Sequence, residues 1–301
     1  MPTLAPDAAP ARQTPLPDWV DRAEYPFQPR RLETAEGALS YLDEGSGPPV
    51  VLVHGTPTWS FLWRRLVRHH APRHRVIAPD HHGFGLSDKP PRAAYTPADH
   101  ARRLGALLDA LDVREATVVA HDFGGPIALS WALDHRARVA RLALANTWAW
   151  PLDDDPRIAR GGRIAAGRVG RFLYTRLNAS PRLLIPAGMA DRRGLTPALH
   201  RQYLAPFPDA ASREAPWALA CALLGERAWY ASLGARLGEL AALPTLLAWG
   251  MRDPAFGPAY LTRWRAALPH AAVAEIAASG HFVPEEAPDA LARAVDGLLA
   301  R

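Results

Sequence analysis

Cysteine is nearly absent: Cys221 is the only one among 301 residues. One thiol excludes an intramolecular disulfide framework and any cysteine-based zinc or iron–sulfur cluster. Long apolar runs are missing too. No segment approaches the ~20 consecutive apolar residues of a membrane-spanning helix. The first eighteen residues hold no stretch suited to the apolar region of a secretory signal. A cytoplasmic place without a membrane partner is the expectation. Lysine is also scarce: Lys89 stands alone, so 34 of the 35 basic residues are arginine. The formal charge is +5. Read along the chain, the arginines alternate with acids and form no basic stripe, which argues against a nucleic-acid partner. What remains is ordinary globular material, 49% apolar and 22% charged, enough for one large α/β domain with an insertion.

Residues 1–24 are rich in proline and alanine and aperiodic, and read as a loose N-terminal tail. Short apolar runs then alternate with amphipathic segments. Strands are expected at Leu39–Leu42, Pro49–Val53, Arg75–Pro79, Ala116–Ala120 and Val139–Ala145. Helices are expected over Trp59–His70, over Pro97–Leu111 with Thr96 as cap, and over Gly124–Leu133. Such alternation argues for a mostly parallel sheet flanked by helices. It stops between residues 151 and 226, where the periodicity is purely helical. It resumes with strands at Pro244–Trp249 and Ala272–Ala277 and helices at Pro258–Ala267 and Pro288–Leu299. The expected organisation is an α/β core of residues 25–150 and 227–301 with a helical cap at 151–226. An insertion there sits over the C-terminal ends of the strands, where ligands bind in open α/β sheets.

The segment Val118-Val-Ala-His-Asp122-Phe-Gly-Gly125 carries the chemistry. A strand ends, one side chain follows, and a helix starts, with small residues two before and two after the centre. That pattern marks a nucleophile elbow. Its central residue is an aspartate, Asp122. A carboxylate attacking an ester carbonyl would give a reactive anhydride. Attacking a saturated carbon, it gives an ordinary alkyl ester. Water must then cleave that ester, which requires a general base and an oxyanion hole. The backbone N–H groups of Phe123 and of Thr56, after the second strand, are placed for the hole. His281, after the last strand, is the expected base. Asp253, after the strand before it, is the orienting acid. Nucleophile, acid, histidine is the chain order of the α/β-hydrolase fold. No pair of histidines has the helical spacing of a metal site, because Pro72 interrupts His70 and His74. No metal is expected.

These residues, with His54-Gly-Thr-Pro-Thr-Trp-Ser-Phe-Leu-Trp63, Asp80-His-His-Gly-Phe-Gly-Leu-Ser-Asp88, Gly250-Met-Arg-Asp253 and Gly280-His281-Phe, resemble the haloalkane dehalogenase group of α/β-hydrolases. The similarity runs from about Tyr25 to the C-terminus. It implies a helical cap, an Asp122–His281–Asp253 triad and no cofactor, acting on a small apolar electrophile with water. Two positions depart from the group. Its members hold the leaving halide with a tryptophan after the nucleophile and often an asparagine after His-Gly; here these are Phe123 and Thr56. Asn146, Trp148 and Trp150, at the entrance to the cap, are the substitute donors to consider. Phe84, Phe123, Trp148 and Trp150 predict an apolar crevice. Related epoxide hydrolases keep the aspartate and use cap tyrosines, for which Tyr174, Tyr203 and Tyr230 are candidates. Relatives that open β-lactones share the triad. A ligand-binding protein that retains its adduct is the non-enzymatic alternative.

Overall fold

The computed structural model describes residues 12–91 and 93–301. Nine strands form one sheet: β1 (Arg12–Gln13), β2 (Arg30–Leu32), β3 (Leu39–Glu44), β4 (Pro49–Val53), β5 (Arg75–Pro79), β6 (Ala116–His121), β7 (Val139–Ala145), β8 (Thr245–Gly250) and β9 (Ala272–Ile276). Their order is β1-β2-β3-β5-β4-β6-β7-β8-β9. The pairs from β1 to β5 through β2 and β3 are antiparallel, and the rest are parallel. The central strands β4, β6 and β8 are buried on both faces. Their continuous apolar runs are what such strands require.

The registers pair Val53 with Ala120, Ala120 with Leu144, and Leu144 with Leu247. Parallel strands in this register end level with one another. The loops after β4, β6, β7, β8 and β9 therefore open on one edge. From β4 the chain crosses to β5 on one side and later to β6 on the other. This reversal of strand order is where α/β sheets leave a crevice.

Helices α1 (Arg64–His70), α2 (Pro97–Ala110) and α3 (Gly124–Asp134) cover the faces of the first half. Thr96 caps α2 by accepting from the Asp99 N–H, as its sequence predicts. Between β7 and β8 lie α4 (Pro156–Ala166), α5 (Arg168–Thr175), α6 (Ile185–Gly188), α7 (Pro197–Leu204), α8 (Glu214–Gly225) and α9 (Arg227–Ala235), with no strand among the described residues. Asp155 caps α4 through the N–H groups of Arg157 and Ile158. Helix α10 (Pro258–Ala267), the short α11 (Val283–Glu286) and α12 (Pro288–Leu299) complete the chain.

The structure corrects the sequence reading in three places. The expected loose tail does not extend over residues 12–24: Arg12 pairs with Arg31, Thr14 and Val20 are buried, and Trp19 packs edge-on to Trp59. Residues 1–11 lie outside the described residues. The expected helix over Trp59–His70 begins as a 3-10 turn at Ser60–Trp63. Strand β2 was not expected, because a strand of three residues that carries Arg30 and Arg31 has no apolar alternation to reveal it.

Candidate active site

Asp122 sits at the tight turn between β6 and α3 with φ +54°. A non-glycine residue held there costs about 1–3 kcal/mol and persists only where its surroundings impose it. Two features impose it here. The Thr147 hydroxyl donates to the Asp122 carbonyl at 2.6 Å. A Cβ on Gly124 would lie 2.2 Å from the Val53 carbonyl oxygen, so only glycine lets α3 start this close to β4. The strain turns the Asp122 carboxylate out over the sheet edge.

That carboxylate meets two partners. Oδ1 accepts from the Thr56 backbone N–H at 2.8 Å. Oδ2 lies 3.4 Å from His281 Nε2. The other face of the same imidazole, Nδ1, is 2.8 Å from Asp253 Oδ2. The histidine therefore lies between two carboxylates. Burial alone would lower its pKa, but Asp253 and Asp122 push it up to about 10. Burial alone would raise Asp253, but the charge and hydrogen bond of His281, joined by nearby backbone N–H groups, bring it below the usual carboxylate range. Both shifts have one cause, an ion pair shielded from water. A carboxylate, an imidazole and a second carboxylate so linked can attack a carbon centre and then activate water.

Supporting contacts that the sequence did not single out hold this arrangement. His121 Nε2 meets the His281 carbonyl at 2.8 Å, and burial, with His281 nearby, takes the His121 pKa down to about 4. His121 is thus a neutral donor that fixes the backbone of its neighbour. The His281 N–H donates to the Gly188 carbonyl of the helical insertion at 2.7 Å. Gly55 is tighter still: a Cβ there would sit 2.1 Å from Asp122 Oδ1. The adjacency of His121 to Asp122 is a visible signal. Nothing in the sequence marks Thr147 or Gly188.

The proposed pocket residues divide. Trp148 is fully buried beside the site, edge-on to Phe123 at 4.8 Å and stacked on Phe256 at 4.6 Å. Its indole Nε1 has no hydrogen-bond partner. Tyr230 lies 6.0 Å from Trp148, and its buried hydroxyl is also unpartnered. Burial, followed by the Asp122 charge, drives the Tyr230 phenol far up. The half-buried Tyr174 on α5 rises to about 12 through burial, Cys221 and Asp122. The Thr56 hydroxyl is a third buried group without a partner.

Four other candidates lie elsewhere. Asn146 does not face a leaving group. Its Nδ2 donates to Asp253 Oδ2 at 2.8 Å and to the Gly250 carbonyl at 3.1 Å, and its Oδ1 accepts from the Gly250 N–H at 2.7 Å. It holds the acid. Trp150 turns away to pack on Trp264, 5.0 Å between ring centroids, with the Arg263 guanidinium over its ring at 4.3 Å. Tyr203 is locked in the core, its hydroxyl donating to Glu285 and its ring edge-on to Phe61. Phe84 is fully buried against His54 and Phe207, so it supports the loop after β4 instead of lining a crevice.

A surface cleft of about 630 Å³ beside Glu36 and Arg103 shares no residue with this site. His69, His70 and Asp296 are the one group of metal-ligating type that converges among the described residues, within 4.8 Å. The Arg73 guanidinium already reaches Asp296 at 3.3 Å, which opposes a cation there.

Residues 48–288 match the α/β hydrolase fold family. Haloalkane dehalogenase 2 of Mycobacterium tuberculosis is 37% identical over 273 residues, covering 90% of this chain and 94% of the relative. A cis-3-alkyl-4-alkyloxetan-2-one decarboxylase of Xanthomonas campestris is 37% identical over 303 residues, covering 92% and 97%. The solved structure of haloalkane dehalogenase DbeA from Bradyrhizobium elkani superposes with a TM-score of 0.82 at 30% identity, covering 90% of this chain and 96% of that one. The chain belongs to the α/β-hydrolase fold family, in its haloalkane dehalogenase-like branch.

Proposed function

We propose that this enzyme hydrolyses a small apolar electrophile through an alkyl ester on Asp122, with a carbon–halogen bond as the first substrate class. The observation that carries the reading is the carboxylate of Asp122. One of its oxygens rests on the Thr56 N–H and the other faces His281. Oδ2 attacks the carbon, and the halide leaves with the bonding pair. Oδ1 stays on Thr56 and becomes the ester carbonyl.

Esterification removes one of the two negative charges that hold the proton on His281. Its pKa falls, its proton passes to solvent along with the departing halide, and the neutral Nε2 can take a proton from water. Hydroxide adds to the ester carbonyl, the oxyanion is held by the N–H groups of Thr56 and Phe123, and collapse releases the alcohol. Asp253, held by Asn146, keeps the imidazole oriented. We propose the cap as residues 151–226 on a core of 25–150 and 227–301. The Gly188 carbonyl on His281 supports a cap that closes over the site. The cytoplasm is the proposed compartment, in keeping with the unpaired thiol of Cys221.

A second reading, an oxygen leaving group from an epoxide or β-lactone, is favoured by a different observation. The Phe123 side chain offers no donor beside the carboxylate. Tyr230 presents a buried, unpartnered hydroxyl within the field of Asp122, and Tyr174 shares that field.

The test is His281→Gln, exposed in turn to a bromoalkane, a styrene-type epoxide and an aryl ester, followed by intact-protein mass. A stable gain of one alkyl group on Asp122 is the expected result. A gain of the whole epoxide selects the second reading. No adduct with any of them overturns the covalent mechanism for these classes. An adduct that wild-type protein also retains, without turnover, makes the chain a binding protein.

A further inference from the structure

We propose that the outer face of the helical insertion, residues 156–184, docks on a membrane surface bearing anionic headgroups. Two independent features of the same segment carry this. Among the described residues, the large apolar side chains that stand furthest into solvent are Ile164, Val169, Phe172, Leu177, Leu183 and Leu184, between 46% and 66% exposed. They fall within one stretch of α4, α5 and the turn that follows. Isolated exposed apolar residues are unremarkable, but a patch of this kind marks an interaction site.

The second feature is charge. From Pro156 to Ala190 the chain has seven arginines and no acidic residue, while the whole chain carries only +5. The rest of the protein is therefore slightly negative. All seven arginines are exposed. Arg157 pairs with Asp155, and Arg171 lies 3.7 Å from Glu214 and over the Trp217 ring. Arg160, Arg163, Arg168, Arg176 and Arg182 have no acidic partner within reach among the described residues. Along the full sequence the arginines look diluted by acids; this stretch is the exception, and its arginines and those large apolar side chains alternate, all exposed, between Arg160 and Leu184.

The inner side of this segment is already satisfied. Ala159, Gly162 and Ala165 of α4 are buried, and a Cβ on Gly162 would meet Leu224 of α8 at 2.8 Å. The outward apolar side chains are therefore not misplaced core. A basic surface with aliphatic and phenyl side chains between the arginines is what an interfacial helix needs. A second copy of this chain is the poorer occupant, because a two-fold contact would set arginines against arginines. Anionic lipid satisfies both features at once. Each arginine near such a surface strengthens partitioning by roughly fivefold. On helix α5, Phe172 is 55% exposed and Tyr174, two residues on, is half-buried.

The experiment uses the full-length protein and vesicle flotation, with phosphatidylcholine alone or with about 30% phosphatidylglycerol. Binding to the anionic vesicles only, weakened at least tenfold by about 0.5 M salt, is expected. Arg168→Glu/Arg176→Glu should lower binding at least twentyfold, and Val169→Ser/Phe172→Ser at least fivefold, with unchanged circular dichroism. Arg114→Glu/Arg293→Glu, an equal charge change elsewhere, should bind as wild type. Absence of binding to anionic vesicles at low salt overturns the proposal. So does equal loss in the Arg114→Glu/Arg293→Glu control. Lipid-free dimerisation that the apolar variants abolish would overturn it in favour of a second copy. None of these readouts depends on the substrate, so they stand apart from the hydrolase mechanism.

Discussion

Replacing Asn146 separates the two places this residue was able to occupy. Its Nδ2 lies 2.8 Å from Asp253 Oδ2, a carboxylate whose side chain is fully buried. Hydrogen bonds to charged groups contribute about 1.5–3 kcal/mol. Asn146→Gly removes that bond without backbone strain, since Asn146 has φ +37°. Asp253 keeps the Ala255 N–H and His281, but loses about 2 kcal/mol of stabilisation for its charged form. Its pKa rises, and it holds the imidazolium less firmly. Ester hydrolysis, which needs His281 oriented as a base, should slow about 30-fold. Alkylation, which uses Asp122 alone, should change by less than about threefold. Asn146→Ala should behave the same in kinetics but lose a further ~1 kcal/mol of stability, because alanine is strained at positive φ. Rapid quench followed by intact mass measures both steps, as the rise and decay of alkylated enzyme. An unchanged ester lifetime together with slowed alkylation or weakened bromide binding would refute the assignment and return Asn146 to the leaving-group pocket.

Three further outcomes are expected. Gly55→Ala forces a Cβ into a position 2.1 Å from Asp122 Oδ1, so the carboxylate must move; turnover should fall at least about 100-fold with a folded circular dichroism spectrum, and near-normal activity would show that the loop yields freely. Arg64→Met breaks a buried pair with Glu285, in which the two side chains are 1% and 4% exposed at 2.8 Å; stability should drop by about 3–5 kcal/mol, and calorimetry showing under ~1 kcal/mol would contradict this. Burial holds His70, His81 and His121 down to about 4, against an ordinary value near 6.5. Their folded pKa values are depressed, so the stabilisation is present above pH ~6.5 and is lost as pH falls towards 4. At up to about 3 kcal/mol each, the three together cost about 9 kcal/mol, comparable to the whole stability of an ordinary domain, so a far-UV circular dichroism titration should show unfolding as pH falls to about 4. A protein still fully folded at that pH would show these imidazoles gaining partners.

The sequence by itself determined the elbow and the sheet from β3 to β9. Pro49–Val53, Arg75–Pro79 and Val139–Ala145 are strands at the limits their apolar runs suggest. Burial on both faces leaves no other use for such runs. Asp122 was legible because the turn constrains residues next to it in the chain. His281 and Asp253 were legible because each follows a strand that ends on the same edge. What faces what was decided only by the tertiary structure. Tyr203 and Glu285 stand 82 positions apart, and Asn146 and Asp253 stand 107 apart. Local pattern records whether a side chain is buried, not which partner it meets, so Tyr203, Trp150 and Asn146 read alike as pocket residues until packing separated them. The same limit hid the arginine-rich apolar face. Helical period marks one side of α4 and α5 as buried, but only their docking on α8 shows that Phe172 and Val169 remain outside it.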